Sequence, residues 1–252
     1  MTEAVLHEPC FLPANHPNFL ANGEWWVENN QQFRQSQKYW FFRCALDYLT
    51  NSDLQGTYFE FGVHRARTFT MAMSLDVFYA HNMGATNRGL KPLEGGGYFR
   101  EYVAFDSFEG FPPDAKDVAN VAANVRTGQD EFLNLVKKMG QSTQRIKIVS
   151  GFYSESLTEE LASDFRKRDT KVSLVCVDCN LYESYRDVLP WCDEFLQPGA
   201  IVYLDDFNTF LMQNDRGPRK AWREYTKDSR WAFDEFLNAG WWGKSFVVQR
   251  RL

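Results

Sequence analysis

The chain has 252 residues with a net charge of −5, and 44% of its residues are hydrophobic. This length fits one large domain with a common core, and the acidic balance gives no electrostatic support for a nucleic-acid partner. No apolar run approaches the ~20 residues that span a bilayer, and the first residues lack the regions of a signal peptide, so we expect a cytoplasmic protein.

The N-terminal region is predicted to form an arm followed by helix. Residues 1–23 contain several prolines and indicate an irregular segment. From Glu24 to Asn51, apolar residues recur at helical spacing and predict one or two helices. The residues expected to share a face are Trp40, Cys44, Leu46 and Leu49. These helices would form a lid over a cleft, make a subunit contact, or simply pack on a sheet.

The stretch Thr57–Thr70 (TYFEFGVHRARTFT) has the pattern of a buried strand, a tight turn and a helix. The strand is predicted over Thr57–Val63 and the helix over Ala66–Ala80, with the turn at Gly62. Such a unit opens many cofactor sites, because the turn admits the ligand and the helix N-terminus offers unpaired N–H groups. The spacing is not G-x-G-x-x-G, so the motif alone is weak, and an ordinary strand with a glycine turn explains it equally well.

Four further apolar strands alternate with helices, which indicates a parallel sheet covered on both faces. The predicted strands are Tyr102–Phe105, Arg145–Val149, Val172–Val177 and Ala200–Leu204. The predicted helices are Gln129–Met139, one running through Val188 and Phe195, and Arg219–Tyr225. Two strands about a turn at Gly240–Gly243 close the chain. Residues 81–100, including the triple glycine at 95–97, follow no strand and open no helix, so we interpret them as a flexible connection.

Polar residues lie within or directly after these strands. Glu60 lies within the first strand, and the residues that close the next four are Asp106, Ser150, Asp178 and the pair Asp205–Asp206. Any one aspartate at a strand end is commonly a helix cap or a turn residue. Because the carboxyl ends of parallel strands form the ligand crevice of open α/β sheets, the repetition predicts that these side chains converge on one rim.

Two kinds of chemistry are expected at that rim. Asp106 closes the strand after the glycine turn, where an acid can accept hydrogen bonds from both hydroxyls of a ribose. Asp178, Asp205 and Asp206 offer oxygen ligands to a hard cation such as Mg²⁺. Such an ion would orient two adjacent substrate hydroxyls and lower the pKa of the reacting one. The alternative for Asp205–Asp206 is that the pair caps the following segment.

The five cysteines are odd in number and scattered, which is typical of free thiols in a reducing compartment. Cys176 and Cys179 have C-x-x-C spacing, but they follow a strand-like run and lack a second pair. We therefore expect neither a zinc site nor a redox pair there.

Six segments in order resemble the macrocin/mycinamicin O-methyltransferase family, class I enzymes that use S-adenosylmethionine and modify antibiotic sugars. The segments are YFEFGVHR, FDSFEGFP, SGFYSESL, VDCNLYESYRDVL, GAIVYLDDF and GPRKAWREY, and they span about residues 55–226. The second, fourth and fifth are the most specific. The resemblance implies a Rossmann-like fold with a seven-stranded, mostly parallel sheet whose last strand is antiparallel. It also implies residues 1–52 as an arm and residues 53–252 as the catalytic domain.

The resemblance also assigns site residues. It implies that Glu60 and Gly62 lie on the methionine side of S-adenosylmethionine, that Asp106 and Ser107 lie at the ribose, and that Ser150, Gly151 and Phe152 lie near the adenine. Thr68 is also expected to bind the cofactor. The resemblance further implies that Asp178, Asp205 and Asp206 bind Mg²⁺, with Asp178 as the catalytic base. The acceptor would be a hydroxyl of a small natural product, such as a sugar diol. Separately from the resemblance, the apolar N-terminal helices favour a homodimer.

Departures from the family pattern leave alternatives open. Asn180 stands where the family often has a second acid, which reduces the charge available to a metal ion. The N-terminal region and residues 207–218 have no match in the family, so the acceptor does not carry over. Gly62 and Asp106 would also suit a nicotinamide-dependent oxidoreductase, although no Tyr-x-x-x-Lys pair is present. A non-catalytic protein that binds S-adenosylmethionine is the remaining alternative.

Overall fold

The computed structural model describes residues 23–85, 97–113, 115 and 126–251. The predicted irregular arm lies outside the described residues, except for Gly23, which opens a helix. Most of the predicted flexible connection also lies outside them. Within the described ranges, no helix combines the length and apolar character needed to cross a membrane.

A seven-stranded sheet forms the centre of the molecule, in the order β3-β2-β1-β4-β5-β7-β6. Its strands are β1 (Gly56–Phe61), β2 (Phe99–Asp106), β3 (Ile146–Ser150), β4 (Val172–Val177), β5 (Leu196–Leu204), β6 (Trp231–Ala239) and β7 (Gly243–Arg250). Neighbours from β3 through β5 pair in parallel, whereas β7 is antiparallel to both β5 and β6. The predicted mostly parallel sheet with an antiparallel last strand is therefore confirmed.

Helices cover both faces of the sheet. They are α1 (Gly23–Asn51), α2 (Arg67–Ala85), α3 (Gln129–Lys138), α4 (Tyr153–Ser156), α5 (Glu159–Lys167), α6 (Tyr182–Asp193) and α7 (Gly217–Asp228), with a 3₁₀ turn at Phe210–Met212. One apolar cluster joins the sheet to α5, α6 and α7, and a second joins it to α1, α2 and α3. Alternate residues of β1 supply the two clusters, Phe59 and Phe61 on one face and Tyr58 on the other, as the twofold repeat of a strand requires.

Several predicted boundaries differ from the structure. Helix α2 continues to Ala85 and β2 already begins at Phe99, so both ends of the predicted connection, residues 81–85 and 99–100, belong to regular elements. Strand β5 begins at Leu196, before the predicted start at Ala200. Pro198 and Gly199 lie within the strand, at a register shift in its pairing with β4. Helix α6 ends at Asp193, before the predicted Phe195.

The predicted buried face of α1 is wrong in part. Leu46 and Leu49 are buried, but Cys44 is exposed and Trp40 is 56% exposed. The buried stripe instead runs through positions 38, 41, 42, 45, 46 and 49, which lie on one side of a helix with 3.6 residues per turn. The prediction placed Trp40 on the buried face although it lies outside that stripe. A large side chain on the solvent side of a helix is common.

Candidate active site at the carboxyl edge of the sheet

The strand ends converge as expected. Phe61 of β1 pairs with Phe105 and Val177, and Val177 in turn pairs with Leu204. The residues that follow these positions therefore stand at one level: Gly62, Asp106, Asp178 and Asp205. Backbone hydrogen bonds extend this edge, since the N–H of Asp178 donates to Phe61 O over 2.8 Å and that of Asp205 donates to Val177 O over 2.9 Å.

The turn after β1 depends on Gly62. Its φ is +86°, which lies in the left-handed region, and a Cβ at this position would lie 2.0 Å from the carbonyl oxygen of Asp178. Only glycine satisfies both conditions, because it has no Cβ to strain or to clash. The glycine thus lets the backbone after β1 contact the backbone after β4.

Asp106 braces this turn. Its Oδ2 accepts hydrogen bonds from the backbone N–H groups of Val63 (2.8 Å) and His64 (3.3 Å), and its Oδ1 accepts one from Phe108 (2.8 Å). A carboxylate has about four acceptor positions, so one remains for a ligand hydroxyl. His64 is itself held by a contact of 3.1 Å between its Nδ1 and the hydroxyl of Thr127, and burial followed by the nearby Arg65 lowers its pKa.

A cavity of about 600 Å³ opens beside the turn. Its volume is in the range of sites for cofactors and small molecules. The predicted residues that line it are Gly62, Asp106, Ser107, Gly151, Phe152 and Asp178. Residues from the segments after four different strands thus share one cavity, and Asn180 lines it too.

Three predicted cofactor residues do not line this cavity. Glu60 is 1% exposed and lies beneath the turn, where it accepts a hydrogen bond from the Tyr58 hydroxyl. Thr68 is buried in the first turn of α2, and Ser150 is exposed at the end of β3. Glu60 and Ser150 lie on strands that reach the site, but their side chains leave the strand in another direction, which pattern alone does not reveal.

The three predicted metal ligands do come together. Asp178, Asp205 and Asp206 each offer a carboxylate oxygen, and these oxygens lie within 4.8 Å of one another. Asp205 and Asp206 are 3% and 4% exposed, whereas the side chain of Asp178 is 25% exposed and faces the cavity. We call these residues the acid triad. All-oxygen ligands suit Mg²⁺, so the chemistry of the triad fits the ion implied by the sequence.

A cation from this chain already contacts the triad. The ammonium of Lys38, on α1, lies 2.8 Å from Asp178 Oδ2 and 2.9 Å from Asp205 Oδ2. Lys38 is 5% exposed. Lys38 was not among the predicted site residues, although a signal was available. Positions 38, 41, 42 and 45 have the spacing of a buried helix face, and a lysine on such a face requires a partner.

The charges of the triad are unequal. Burial would raise the pKa of Asp205, but Lys38 and the Tyr203 hydroxyl, which donates over 2.5 Å, hold that pKa below its ordinary value. Burial and the neighbouring Asp205 raise the pKa of Asp178 to about 6. Burial, followed by Asp178 and Asp205, raises the pKa of Asp206 well above its ordinary value. At neutral pH, Asp178 is thus an ionised carboxylate that faces the cavity and is poised to accept a proton.

Glu60 adds a buried acid next to the triad. Burial is the main cause that raises its pKa to about 8, and Asp178 and Asp205 contribute further. The pKa of Lys38 is raised well above its ordinary value by the same two aspartates, although burial opposes the shift. Lys38 therefore stays charged and neutralises carboxylates that would otherwise repel one another.

A comparison with protein families finds one match over most of the chain. The family model for macrocin O-methyltransferase (TylF) matches residues 34–238. The match includes α1 from Arg34, the cavity and the triad. Among curated protein sequences, none matches significantly.

Solved structures of low sequence identity share the fold. The O-methyltransferase NovP superposes with a TM-score of 0.64 at 15% identity, covering 85% of this chain and 80% of that one. The calicheamicin methyltransferase CalS11 gives 0.59 at 21%, covering 91% and 87%. TomG from Streptomyces achromogenes, an O-methyltransferase of tomaymycin synthesis solved with S-adenosylmethionine, gives 0.51 at 11%, covering 85% and 80%.

Proposed function

The chain belongs to the macrocin O-methyltransferase family, and we propose that it transfers a methyl group from S-adenosylmethionine to a hydroxyl of a small natural product. The observation that carries this proposal is the position of Asp178, which is at once a member of the acid triad and a wall of the cavity beside the Gly62 turn. A base and a cofactor turn on adjacent strand ends would hold the proton acceptor close to the methyl donor, which suits methyl transfer to a hydroxyl.

The cofactor would occupy the cavity between the Gly62 turn and the segment after β3. Asp106 would use its remaining acceptor position for a ribose hydroxyl, with Ser107 beside it. Gly151 and Phe152 would line the adenine end. TomG, which has the same fold, was solved with S-adenosylmethionine, and this supports the choice of cofactor.

The residues of this chain would do two tasks in the reaction. The sulfonium of S-adenosylmethionine is already a strong electrophile, so the walls of the cavity must mainly hold the attacking oxygen in line with the methyl group. Asp178 would accept the proton of that hydroxyl, because it is ionised at neutral pH and faces the cavity. A Mg²⁺ ion held by Asp178, Asp205 and Asp206 would supply a Lewis acid that lowers the pKa of the hydroxyl.

We propose a sugar or similar vicinal diol as the acceptor, in a pathway of secondary metabolism such as antibiotic biosynthesis. CalS11, which has the same fold, is a TDP-rhamnose 3'-O-methyltransferase of calicheamicin biosynthesis, and this supports a sugar as the acceptor. We further propose that residues 53–252 act as the catalytic domain of a homodimer in the cytoplasm. Residues 1–52 would act as a lid or as the dimer contact, since Phe33 (42%) and Trp40 (56%) are exposed on α1.

A thermal-shift series tests the cofactor class. A ligand at ~100 times its dissociation constant adds roughly 2.7 kcal/mol to the free energy of unfolding. We expect S-adenosylhomocysteine to raise Tm and NAD or NADP to leave it unchanged. A rise only with a nicotinamide cofactor would replace this proposal by the oxidoreductase alternative.

Mass spectrometry of products tests the reaction itself. Hydroxylated sugars and nucleotide sugars, incubated with S-adenosylmethionine and Mg²⁺, should gain a single methyl group. Binding of S-adenosylhomocysteine without a methylated product across a broad acceptor panel would favour the non-catalytic alternative. Loss of turnover in EDTA, restored by Mg²⁺, is the expected sign of metal dependence.

A further inference from the structure

The feature not explained by the proposed chemistry is the ammonium of Lys38. It lies 2.8 Å from Asp178 Oδ2 and 2.9 Å from Asp205 Oδ2, so it bridges two members of the acid triad. Its side chain is 6% exposed, and burial removes the solvent that screens surface charges. The bridge is therefore a buried contact that any ion entering the triad must meet.

A divalent cation at the acid triad would draw on carboxylates that this ammonium already contacts. Asp178, Asp205 and Asp206 would hold the ion through carboxylate oxygens, and the Oδ2 atoms of Asp178 and Asp205 already contact the Lys38 ammonium, so an ion there would approach that ammonium closely. Two positive charges so close together, without water between them, repel each other strongly. Simultaneous occupation is therefore unfavourable.

We propose that the ammonium of Lys38 is a tethered competitor for the metal site, which a divalent cation must displace in order to bind the acid triad. The inference rests on the metal-binding part of the proposed function. Without the ion, Lys38 keeps Asp178 and Asp205 together and neutralises them. With the ion bound, the ammonium leaves the two carboxylates.

The contacts around Lys38 couple this exchange to α1. Phe41, one turn further along the helix, stacks on Tyr203 with ring centroids 4.3 Å apart. The hydroxyl of Tyr203 donates to Asp205, the second partner of Lys38. The triad and the buried face of α1 thus form one contiguous set of contacts. Because Lys38 belongs to α1, displacement of its ammonium removes a contact between this helix and the triad.

Titration with Mn²⁺, followed by electron paramagnetic resonance, tests the competition. The samples are the wild-type protein and Lys38→Met, both saturated with S-adenosylhomocysteine. Methionine keeps much of the side-chain volume and removes the charge, so Lys38→Met should bind Mn²⁺ at least about tenfold more tightly. The matched control is Lys147→Met, which removes a lysine paired with Asp164 at the far edge of the sheet and should bind Mn²⁺ like the wild type.

Lysine labelling of the wild-type protein gives a second test that does not depend on the folding of a variant. Reductive methylation, read out peptide by peptide, should modify only a small fraction of Lys38 in metal-free protein. At a Mn²⁺ concentration that fills the site, modification of Lys38 should rise several-fold. Lys147, whose side chain is 27% exposed, should react equally with and without the ion.

Three results would overturn the inference. They are equal Mn²⁺ affinities of Lys38→Met and the wild type, no Mn²⁺ binding by either protein, and a protected Lys38 in the metal-filled wild type. Each leaves the cofactor proposal intact as long as S-adenosylhomocysteine still binds. Loss of S-adenosylhomocysteine binding in the wild type would instead count against the proposed function itself.

Discussion

Gly62 and Asp178 are in direct backbone contact across neighbouring strands, and a Cβ on Gly62 would lie 2.0 Å from the carbonyl oxygen of Asp178. The backbone N–H of Asp178 donates to Phe61 O, immediately before the glycine. The turn assigned to the cofactor and the residue assigned as base are therefore fixed relative to each other by main-chain atoms. Methyl transfer needs such a fixed relation, because reacting groups that are misplaced by ~1 Å lose much of the rate.

Gly62→Ala should destabilise the fold and weaken cofactor binding. The left-handed φ alone costs an alanine roughly 1–2 kcal/mol, and relief of the clash with Asp178 O adds to that. We expect a fall of more than about 2 kcal/mol in the free energy of unfolding in urea, together with weaker binding of S-adenosylhomocysteine. Gly128→Ala is the control, because Gly128 has a φ of −66° and a Cβ added there would meet no atom within 4 Å. Similar losses in both variants would contradict the argument.

Asp178→Ala should abolish turnover and leave binding of S-adenosylhomocysteine nearly intact. A general base contributes about 10²–10⁴-fold to a rate, and Asp178 also belongs to the proposed metal ligands. Single-turnover assays and calorimetry on the same preparation would separate the two effects.

Asp187→Ala provides the matched control for that experiment. Asp187 lines the same cavity, and its side chain is 24% exposed against 25% for Asp178. It lies outside the acid triad, so its removal should affect turnover far less. If Asp178→Ala retained most of its activity, or if the two variants lost equal activity, Asp178 would not be the base.

Asp106→Asn should weaken binding of S-adenosylhomocysteine by about tenfold or more, since a hydrogen bond to a charged acceptor contributes about 1.5–3 kcal/mol. The amide keeps one acceptor oxygen for the N–H groups of Val63 and His64 but loses the oxygen that accepts from Phe108, so urea unfolding of the variant must accompany the binding measurement. Calorimetric titration is the measurement, and Glu109→Gln, at an exposed position nearby, is the control. Unchanged affinity in Asp106→Asn would remove Asp106 from the cofactor site.

Asp76 should make stability depend on pH. It is fully buried on α2, and it accepts hydrogen bonds from the Tyr98 N–H (2.6 Å) and the Tyr102 hydroxyl (2.5 Å). Burial raises its pKa to about 6 from an ordinary 3.8. Because the folded state holds the proton more tightly, the contribution of Asp76 to stability is present below pH ~4 and is lost as the pH rises through about 6.

Asp76→Asn isolates that contribution. Relative to Asp76→Asn, the free energy of unfolding of the wild type should fall by roughly 2 kcal/mol between pH 4.5 and pH 7. Urea unfolding at several pH values measures it. A difference that stays constant over this range would show that Asp76 does not titrate as described.

Much of the fold could be predicted because the strands are continuously apolar and alternate with helices. Val172–Val177 was predicted to the residue, since both ends of VSLVCV are marked by polar neighbours. The start of β5 was missed because the Pro198–Gly199 step resembles a turn, and only the neighbouring strand keeps it in the sheet. Trp40 was wrongly expected on the buried face of α1. The spacing of apolar residues does not by itself decide which side of a helix meets the sheet.

The sequence by itself determined the parallel sheet, the glycine turn and the acids that close the strands, because strand direction and strand length place those positions on one edge. Only the tertiary structure decided which of them share a cavity, and that Glu60, Thr68 and Ser150 do not line it. It also decided that Lys38, 140 residues before Asp178, supplies the cation between two acids. Pairing of charges over such a separation depends on how α1 packs against the sheet, and no local pattern encodes that.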